Sequence, residues 1–439
     1  MQKLITKSLL ATIDIIWLIV IFYISLLIRQ NINYTYLNNF EGLSLYDFTF
    51  VILTVFILMF YEKIYNFRYD FWQDTLKVIK SFIIGFFITM SILALTKTNL
   101  QYSRAFILIY FTIGIILMPI LKRYTKKLIF MIPFFKEKVL VIGKDKEQLD
   151  TFKDELKENW YLGQLYTTND YQHTIIIANG YNTKELNNLI DTYMDQHHEI
   201  FVVPYINGIN FRDSQIMEYS NIRLNTIQIK NKLLIKSNIY IKNIFDKIVS
   251  LILLPIFLIV HIFIVIAIKL DSKGSIWFKQ KRLGKDGHVF EVYKYRTMYE
   301  NSDDILTDYL KTNPHEISYY QQYHKYQTDP RITKIGKILR DTSLDELPQL
   351  INVLKGDMSL VGPRPYMLNE SEKLADKQSF ILKVKPGITG LWQVSGRNNL
   401  TFQQRNELEI WYIKNWSLWA DFVIMLKTIK VVIKKIGAS

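Results

Sequence analysis

The sequence predicts a membrane protein of mixed α and α/β class. It reads as a four-helix transmembrane bundle (1–127), a degenerate Rossmann-like α/β domain (138–236), and a mainly helical domain (241–439) with a re-entrant membrane helix at 245–270. Three observations carry this reading. Four apolar runs fill the first quarter of the chain. Strand-like and helix-like segments then alternate through its middle. A fifth apolar run, Ile248–Ile268, has basic residues at both ends and Pro255 inside it.

The bulk composition agrees. The 439 residues are 49% hydrophobic and 14% aromatic, rich for a soluble protein. A net charge of +14 and a pI near 9.4 point to an anionic partner: nucleic acid, a phosphorylated substrate or an acidic lipid surface. The chain has no cysteine, which excludes disulfides and thiolate chemistry. Its seven histidines lack metal-ligand spacing, and His197–His198, in a polar helical stretch, reads as a solvated pair.

The four runs are Leu9–Ile28, Tyr46–Tyr61, Val78–Leu95 and Ala105–Leu121. Each approaches the roughly 20 residues that a helix needs to cross a bilayer core. None shows the polar face of a buried core helix. Leu9–Ile28 is also too long for a signal peptide and has no small-residue cleavage site after it. Lys3 and Lys7 precede the first run, Lys63 and Arg68 follow the second, and Lys122, Arg123, Lys126 and Lys127 follow the fourth. The loop Asn31–Tyr46 has no Lys or Arg. Both ends of the bundle are therefore expected on the cytoplasmic side.

In the fifth run, Lys242 and Lys247 lie before the apolar stretch, and Lys269, Lys273, Lys279 and Lys281 after it. Basic residues at both ends argue for both ends on one side. Pro255 lacks a backbone donor and is expected to break the helix there, so the run dips into one leaflet and returns. On length alone a true span stays open.

In 138–236 the runs "KVLVIG", "HTIIIANG", "EIFVVPY" and "IRLNTIQIK" read as strands, with helix-favouring stretches such as Lys146–Glu158 and Asn182–His197 between them. "VLVIGKDKEQ" begins like a dinucleotide fold. After Gly143, however, Asp145 and Gln148 replace the second and third glycines that would let the backbone approach a pyrophosphate. A structural or regulatory domain without nicotinamide chemistry is expected.

The densest polar cluster is "LRDTSLDELPQLINVLKGDMSLVGPRP", Leu339–Pro365. Ser343 and Glu346 have capping-box spacing, Leu347, Leu350, Ile351 and Leu354 have helical spacing, and Pro348 fits only a first turn. A helix is thus expected to begin near Leu344 or Asp345. The plainest role of Asp345 and Glu346 is to complement its dipole. Three features point further. A helix start offers free N–H groups to a phosphate. Arg340 and Arg364 flank the acids and can hold a diphosphate bidentately. Upstream, "FKQKRLGKDGHVFEVYKYRTM" (278–298) places Gln280, Arg282, Lys294 and Arg296 around turn-forming Gly284 and Gly287, like a two-stranded ribbon. Two carboxylates among so many cations read as a magnesium ligand and a nucleophile at a phosphoryl centre.

The blocks "FKQKRLG", "YKYRTM", "DPRITKIGKILR", "TSLDELPQLINVLKGDMSLVGPRP", "KPGITGLWQVSGR" and "YIKNWSLWADF" resemble, in order, the signatures of the bacterial polyprenyl-phosphate sugar phosphotransferases, the monotopic phosphoglycosyl transferases. The resemblance covers Ile241 to the C-terminus, and the spans with the Rossmann-like insert resemble the large subtype. One departure is Leu254, where the family often has serine before the re-entrant proline. The resemblance implies that the substrates are a UDP-sugar and undecaprenyl phosphate rather than nucleic acid. It also implies a location in the bacterial plasma membrane with the catalytic domain cytoplasmic, and a role in starting capsule, exopolysaccharide or O-antigen units. By the same resemblance Asp345 attacks the β-phosphorus, UMP leaves, and Glu346 binds Mg²⁺. Arg340, Arg364, Lys294 and Arg296 match positions near the phosphates, with Gln280 and Arg282 weaker matches. Asp357 is a further metal-assisting or turn-capping candidate. The sugar, a homo-oligomer and polysaccharide-assembly partners are left open.

The C-terminal "YIKNWSLWADFVIMLKTIKVVIKK" has Trp416, Trp419 and Phe422 among lysines, a pattern suited either to an interfacial helix on anionic lipid or to a core helix. Two rival functions compete with this reading. A membrane-anchored nucleotide-sugar dehydratase needs the glycines missing after Gly143. A non-catalytic basic membrane scaffold for polysaccharide assembly leaves the acid pair unexplained.

Overall fold

The computed structural model describes residues 2–32, 43–96, 103–169, 171–194, 200–204, 216–219, 224–227, 231–317, 326, 329–370, 374, 377–396 and 400–433. His197 and His198 lie outside these. The chain forms two compact units, Met1–Asn207 and Gly208–Ser439.

In the first unit the expected spans are α1 (Gln2–Asn31), α2 (Leu45–Tyr61), α3 (Phe71–Thr96) and α4 (Arg104–Ile129). α1 packs on α2 and α4, and α3 on the same two, closing a four-helix square. Its centre is aromatic: Phe48 meets Tyr110 edge-on at 4.8 Å, and Phe106 at 5.2 Å. Two buried ion pairs lie among these helices, Lys122–Asp14 at 2.5 Å and Lys126–Asp74 at 2.6 Å. Charges removed from water need such partners. The hydroxyls of Tyr65 and Tyr161 donate to the same carboxylate oxygens of Asp14 and Asp74 that the lysines bind. Helices α1, α3 and α4 are each long and apolar enough to cross a bilayer, and α2 has 17 residues. The chain is a membrane protein.

The sheet of this unit contains β1 (Glu137–Ile142), β2 (Gln164–Tyr166), β3 (His173–Ile177) and β4 (Ile200–Val203), all parallel in the order β2-β1-β3-β4. Helices α5 (Lys146–Glu158) and α6 (Thr183–Met194) connect the strands. Asp145 caps α5 with its own carboxylate, accepting from the Gln148 N–H at 3.2 Å. The helix terminus that a pyrophosphate would need therefore carries a negative charge. β5 (Ile216–Tyr219) and β6 (Leu224–Ile227) form a separate antiparallel pair that belongs to the second unit.

In the second unit the fifth apolar run lies within α7, Lys236–Asp271. The break expected at Pro255 is not there: α7 is one helix of 36 residues with the proline inside. A proline forfeits its own amide bond, here to the Leu251 carbonyl, but the turns on either side keep theirs. The same unit holds the helix along its length. Lys242 Nζ lies 2.7 Å from Asp421 near the N-terminal end. His261 Nδ1 is 2.7 Å from the Tyr295 hydroxyl in the middle, and Asp271 accepts from the Ile335 N–H at 3.0 Å at the far end. The opposite stripe, Ile252, Ile256, Ile259, Phe263, Ile266 and Leu270, is exposed.

The hairpin β7 (Trp277–Leu283) and β8 (Val289–Tyr295) follows, then α8 (Ser302–Thr312), α9 (Lys334–Asp341), α10 (Gln349–Lys355), β9 (Ser359–Val361), β10 (Gly387–Thr389), α11 (Phe402–Asn415) and α12 (Leu418–Ile433). Val292, Leu350, Val353, Val361, Tyr412 and Ile413 form the core. β9 and β10 run parallel, and a Cβ on Gly387 would collide with the Gly362 backbone. α12 buries Asp421 and Ile424 and exposes Leu418, Phe422, Leu426 and Ile429. It is a core helix on one face and an apolar surface on the other.

Candidate active site

The site begins with the expected ribbon. Register pairs Phe278 with Lys294, Gln280 with Val292 and Arg282 with Phe290, so Gln280, Arg282 and Lys294 share one face. Phe290 and Val292, buried on that face, anchor it to the core. Asn352 locks the hairpin onto α10: its carboxamide accepts from the Tyr293 N–H at 3.1 Å and donates to the Glu291 carbonyl at 2.7 Å.

The acid pair lies on a 3-10 turn, Leu344–Glu346, between α9 and α10. The expected capping box is not formed. Ser343 sits in the left-handed region at φ 55° and makes no side-chain cap, and α10 starts only at Gln349. A capping residue needs an extended backbone, which Ser343 lacks. The turn aims both acids at β8. Lys294 Nζ is 2.5 Å from Glu346 Oε1 and 4.0 Å from Asp345 Oδ2. Side-chain exposure is 15% for Asp345 and 31% for Glu346, so Asp345 is the more desolvated of the two.

That burial pushes the Asp345 carboxyl up to about 6; Lys294 and Arg340 hold it down and Glu346 raises it. Arg340, at the end of α9, donates from Nε to Thr297 Oγ1 at 2.9 Å. Burial holds its guanidinium below the ordinary arginine range, offset by the charges of Asp345 and Asp329.

Arg364 belongs to Gly362-Pro363-Arg364-Pro365-Tyr366 after β9. Its guanidinium lies 4.0 Å from Glu370 and is about a third exposed. Arg282 Nη1 donates to the Pro365 carbonyl at 3.2 Å, and Nη2 to Gln280 Oε1 at 2.6 Å. Burial, and then repulsion from Arg364, lower the Arg282 pKa, while Glu370 and Glu346 raise it. Arginines on this scaffold thus face acids on the turn.

The structure brings Asp345, Glu346, Lys294, Arg340, Arg282, Gln280 and Arg364 into one neighbourhood. It does not bring in Arg296, whose guanidinium donates to the Ser272 and Lys273 carbonyls and clasps the turn after α7. Asp357 follows Gly356 behind α10, within electrostatic reach of Lys355 and Lys385. Sequence reading also missed Glu409 on α11. It is buried and accepts from the Arg364 N–H at 2.8 Å and the Tyr366 hydroxyl at 2.5 Å. Burial pushes its carboxyl up to about 7, against the pull of those bonds and of Arg364 and Arg405.

Among the described residues no three or more acids or histidines converge as a metal cage. Magnesium commonly takes one or two protein carboxylates and completes its shell with water and substrate phosphates. Glu346, partly exposed and next to Asp345, fits that sparse donor set.

Residues 237–435 match the family described as bacterial sugar transferase. Over 404 residues the chain is 32% identical to an undecaprenyl-phosphate galactose phosphotransferase of Salmonella typhimurium, covering 85% of this chain and 84% of that protein. It is 33% identical over 431 residues to the galactosyl transferase CpsE of Streptococcus agalactiae, 90% of this chain and 94% of the relative. The exopolysaccharide production protein ExoY of Sinorhizobium fredii is 42% identical over 195 residues, which is 44% of this chain and 84% of ExoY.

Proposed function

The chain belongs to the bacterial sugar transferase family, and from that premise we infer that it transfers a sugar-1-phosphate from a UDP-sugar to undecaprenyl phosphate, releasing UMP and starting a surface polysaccharide unit. Galactose is the sugar to test first, because two relatives are galactose enzymes by name. The observation that carries the reading is the turn on which desolvated Asp345 and metal-accessible Glu346 face Lys294 and the arginines.

A donor diphosphate bound there meets Arg282, Arg364 and Lys294, which neutralise its charge and align it. An Asp345 oxygen, ionised above about pH 6, attacks the β-phosphorus. The bond from that phosphorus to the bridging oxygen breaks, and UMP leaves with the electron pair. The sugar-1-phosphate remains on Asp345 as an acyl phosphate. The phosphate oxygen of undecaprenyl phosphate then attacks the same phosphorus and frees the carboxylate. Arg340, anchored on Thr297, steadies the Asp345 carboxylate before it attacks and again when the second step frees it. Glu346 would hold Mg²⁺, which when bound supplies charge neutralisation for the diphosphate.

The same reading sets the topology. Basic flanks support a topology with both ends of α7 on the cytoplasmic side of the plasma membrane, where UDP-sugars are. One unit grips α7 at its start, middle and end, leaving its apolar stripe for lipid within one leaflet. The exposed apolar face of α12, with Lys427 and Lys430 nearby, suits the interface.

The test is UMP release by the purified protein supplied with Mg²⁺, undecaprenyl phosphate and UDP-galactose, then UDP-glucose. Asp345→Asn is expected to fall to background and Glu346→Gln to lose at least 100-fold (about 2.7 kcal/mol). Extra Mg²⁺ or Mn²⁺ is expected to restore part of the Glu346→Gln loss and none of the Asp345→Asn loss. Full activity in Asp345→Asn would remove Asp345 as the nucleophile, and no UMP release by the wild-type protein with either donor would return the non-catalytic scaffold as the better reading.

A further inference from the structure

Between its two prolines, Arg364 contributes the sole backbone N–H of the segment Pro363–Pro365. Everything else in this loop is fastened from outside. The Gly362 N–H donates to the Thr389 carbonyl at 2.9 Å, and the Pro363 carbonyl accepts from the Gly387 N–H at 2.8 Å. The Pro365 carbonyl accepts from Arg282, and the Tyr366 carbonyl from the Leu283 N–H at 2.9 Å. The Arg364 N–H goes to Glu409, a side chain that is 2% exposed. The other oxygen of that carboxyl takes the Tyr366 hydroxyl, which also reaches Asn406 Oδ1 at 2.8 Å.

We propose that Glu409 is a positioning residue for the transfer reaction: by gripping the Arg364 N–H it fixes the direction in which the guanidinium leaves the loop, and so sets affinity for the donor diphosphate. The physical case is the cost of the arrangement. Burying a carboxylate is expensive unless it is hydrogen-bonded, and an apolar side chain at 409 would fill the same space more cheaply. What the carboxylate supplies in return is an acceptor for a donor that no strand or helix can satisfy, directly beneath a phosphate-facing arginine. Both oxygens of Glu409 are engaged by the loop and by Tyr366, and it takes no part in bond making. The proposal rests on Arg364 contacting the donor, as the proposed function has it.

The experiment measures the Kd for UDP by calorimetry, and kcat, on the full-length detergent-solubilised protein. Glu409→Ala is expected to weaken UDP about tenfold while kcat at saturating donor changes less than threefold. Glu409→Gln keeps an acceptor oxygen for the Arg364 N–H and is expected to stay within threefold of wild type. Each change is also made in an Arg364→Ala background, where Glu409→Ala is expected to add nothing. Should Glu409→Ala not fold, Glu409→Asp keeps the charge but withdraws it by one methylene; a threefold loss alone and none over Arg364→Ala is the expected pattern. Losses that add in the double variant, or a loss confined to kcat, overturn the positioning role while leaving Arg364 in place. Wild-type UDP affinity in Arg364→Ala alone overturns the Arg364 assignment, and the positioning role with it.

Discussion

Lys294 serves two carboxylates at once, 2.5 Å from one and 4.0 Å from the other. Its charge is the largest influence holding down a carboxyl that burial has pushed up to about 6. The sign follows from the required form. In the proposed reaction Asp345 attacks as the anion, so kcat/KM is expected to rise as pH climbs from 5 to 7, with a midpoint near 6. Lys294→Met removes the cation and is expected to raise that midpoint by roughly one unit, beside any loss in donor affinity. An unmoved midpoint in a pH–rate profile would exclude Asp345 as the titrating group. The acids were legible in the sequence because adjacent carboxylates among flanking arginines and glycines are a poor match for surface charge. The capping box was misread: the pattern of Ser343 and Glu346 presumes an extended Ser343, and a left-handed one turns its hydroxyl elsewhere. Glu409 was invisible because "RNELEI" reads as a solvated helix face until Arg364 is seen to lie over it.

The hairpin and α7 show the same mixture at the scale of elements. Alternation and turn glycines revealed β7 and β8, but not the buried carboxamide that seats them on α10. Asn352→Leu leaves the Tyr293 N–H and Glu291 carbonyl without that partner, and is expected to destabilise the protein by about 2 kcal/mol. Chemical denaturation checks this, and a loss under 0.5 kcal/mol would mean that the two groups find water instead. For α7, the proline inside the run suggested a break. The helix instead spends one hydrogen bond and continues. Because the chain has no cysteine, single cysteines at Ser237 and Ser275 report topology without further engineering. Both are expected to react with membrane-impermeant maleimide only from the cytoplasmic side. Labelling of Ser275 from outside would mean that α7 crosses.

At the scale of the whole molecule, hydropathy was enough for the membrane class, since apolar runs with no polar face have few other destinations. The parallel sheet was legible from alternating strands and helices. β5 and β6 have strand composition, and among the described residues they pair with each other. Ion pairs such as Lys126–Asp74 join residues far apart in the chain and leave no local pattern to read. Within the second unit, the hydrophobic helix α7 and the polar turn of the acid pair belong to one fold. A covalent intermediate on that turn would let the two substrates be handled in sequence. The most direct test gives the wild-type protein UDP-galactose and Mg²⁺ with no lipid acceptor and reads its intact mass. A hexose-phosphate adduct that maps to the Asp345 peptide, with UMP released in equal amount, is expected. No adduct, together with kinetics in which both substrates bind before any UMP leaves, would contradict the covalent route and make Asp345 a metal ligand in a direct displacement.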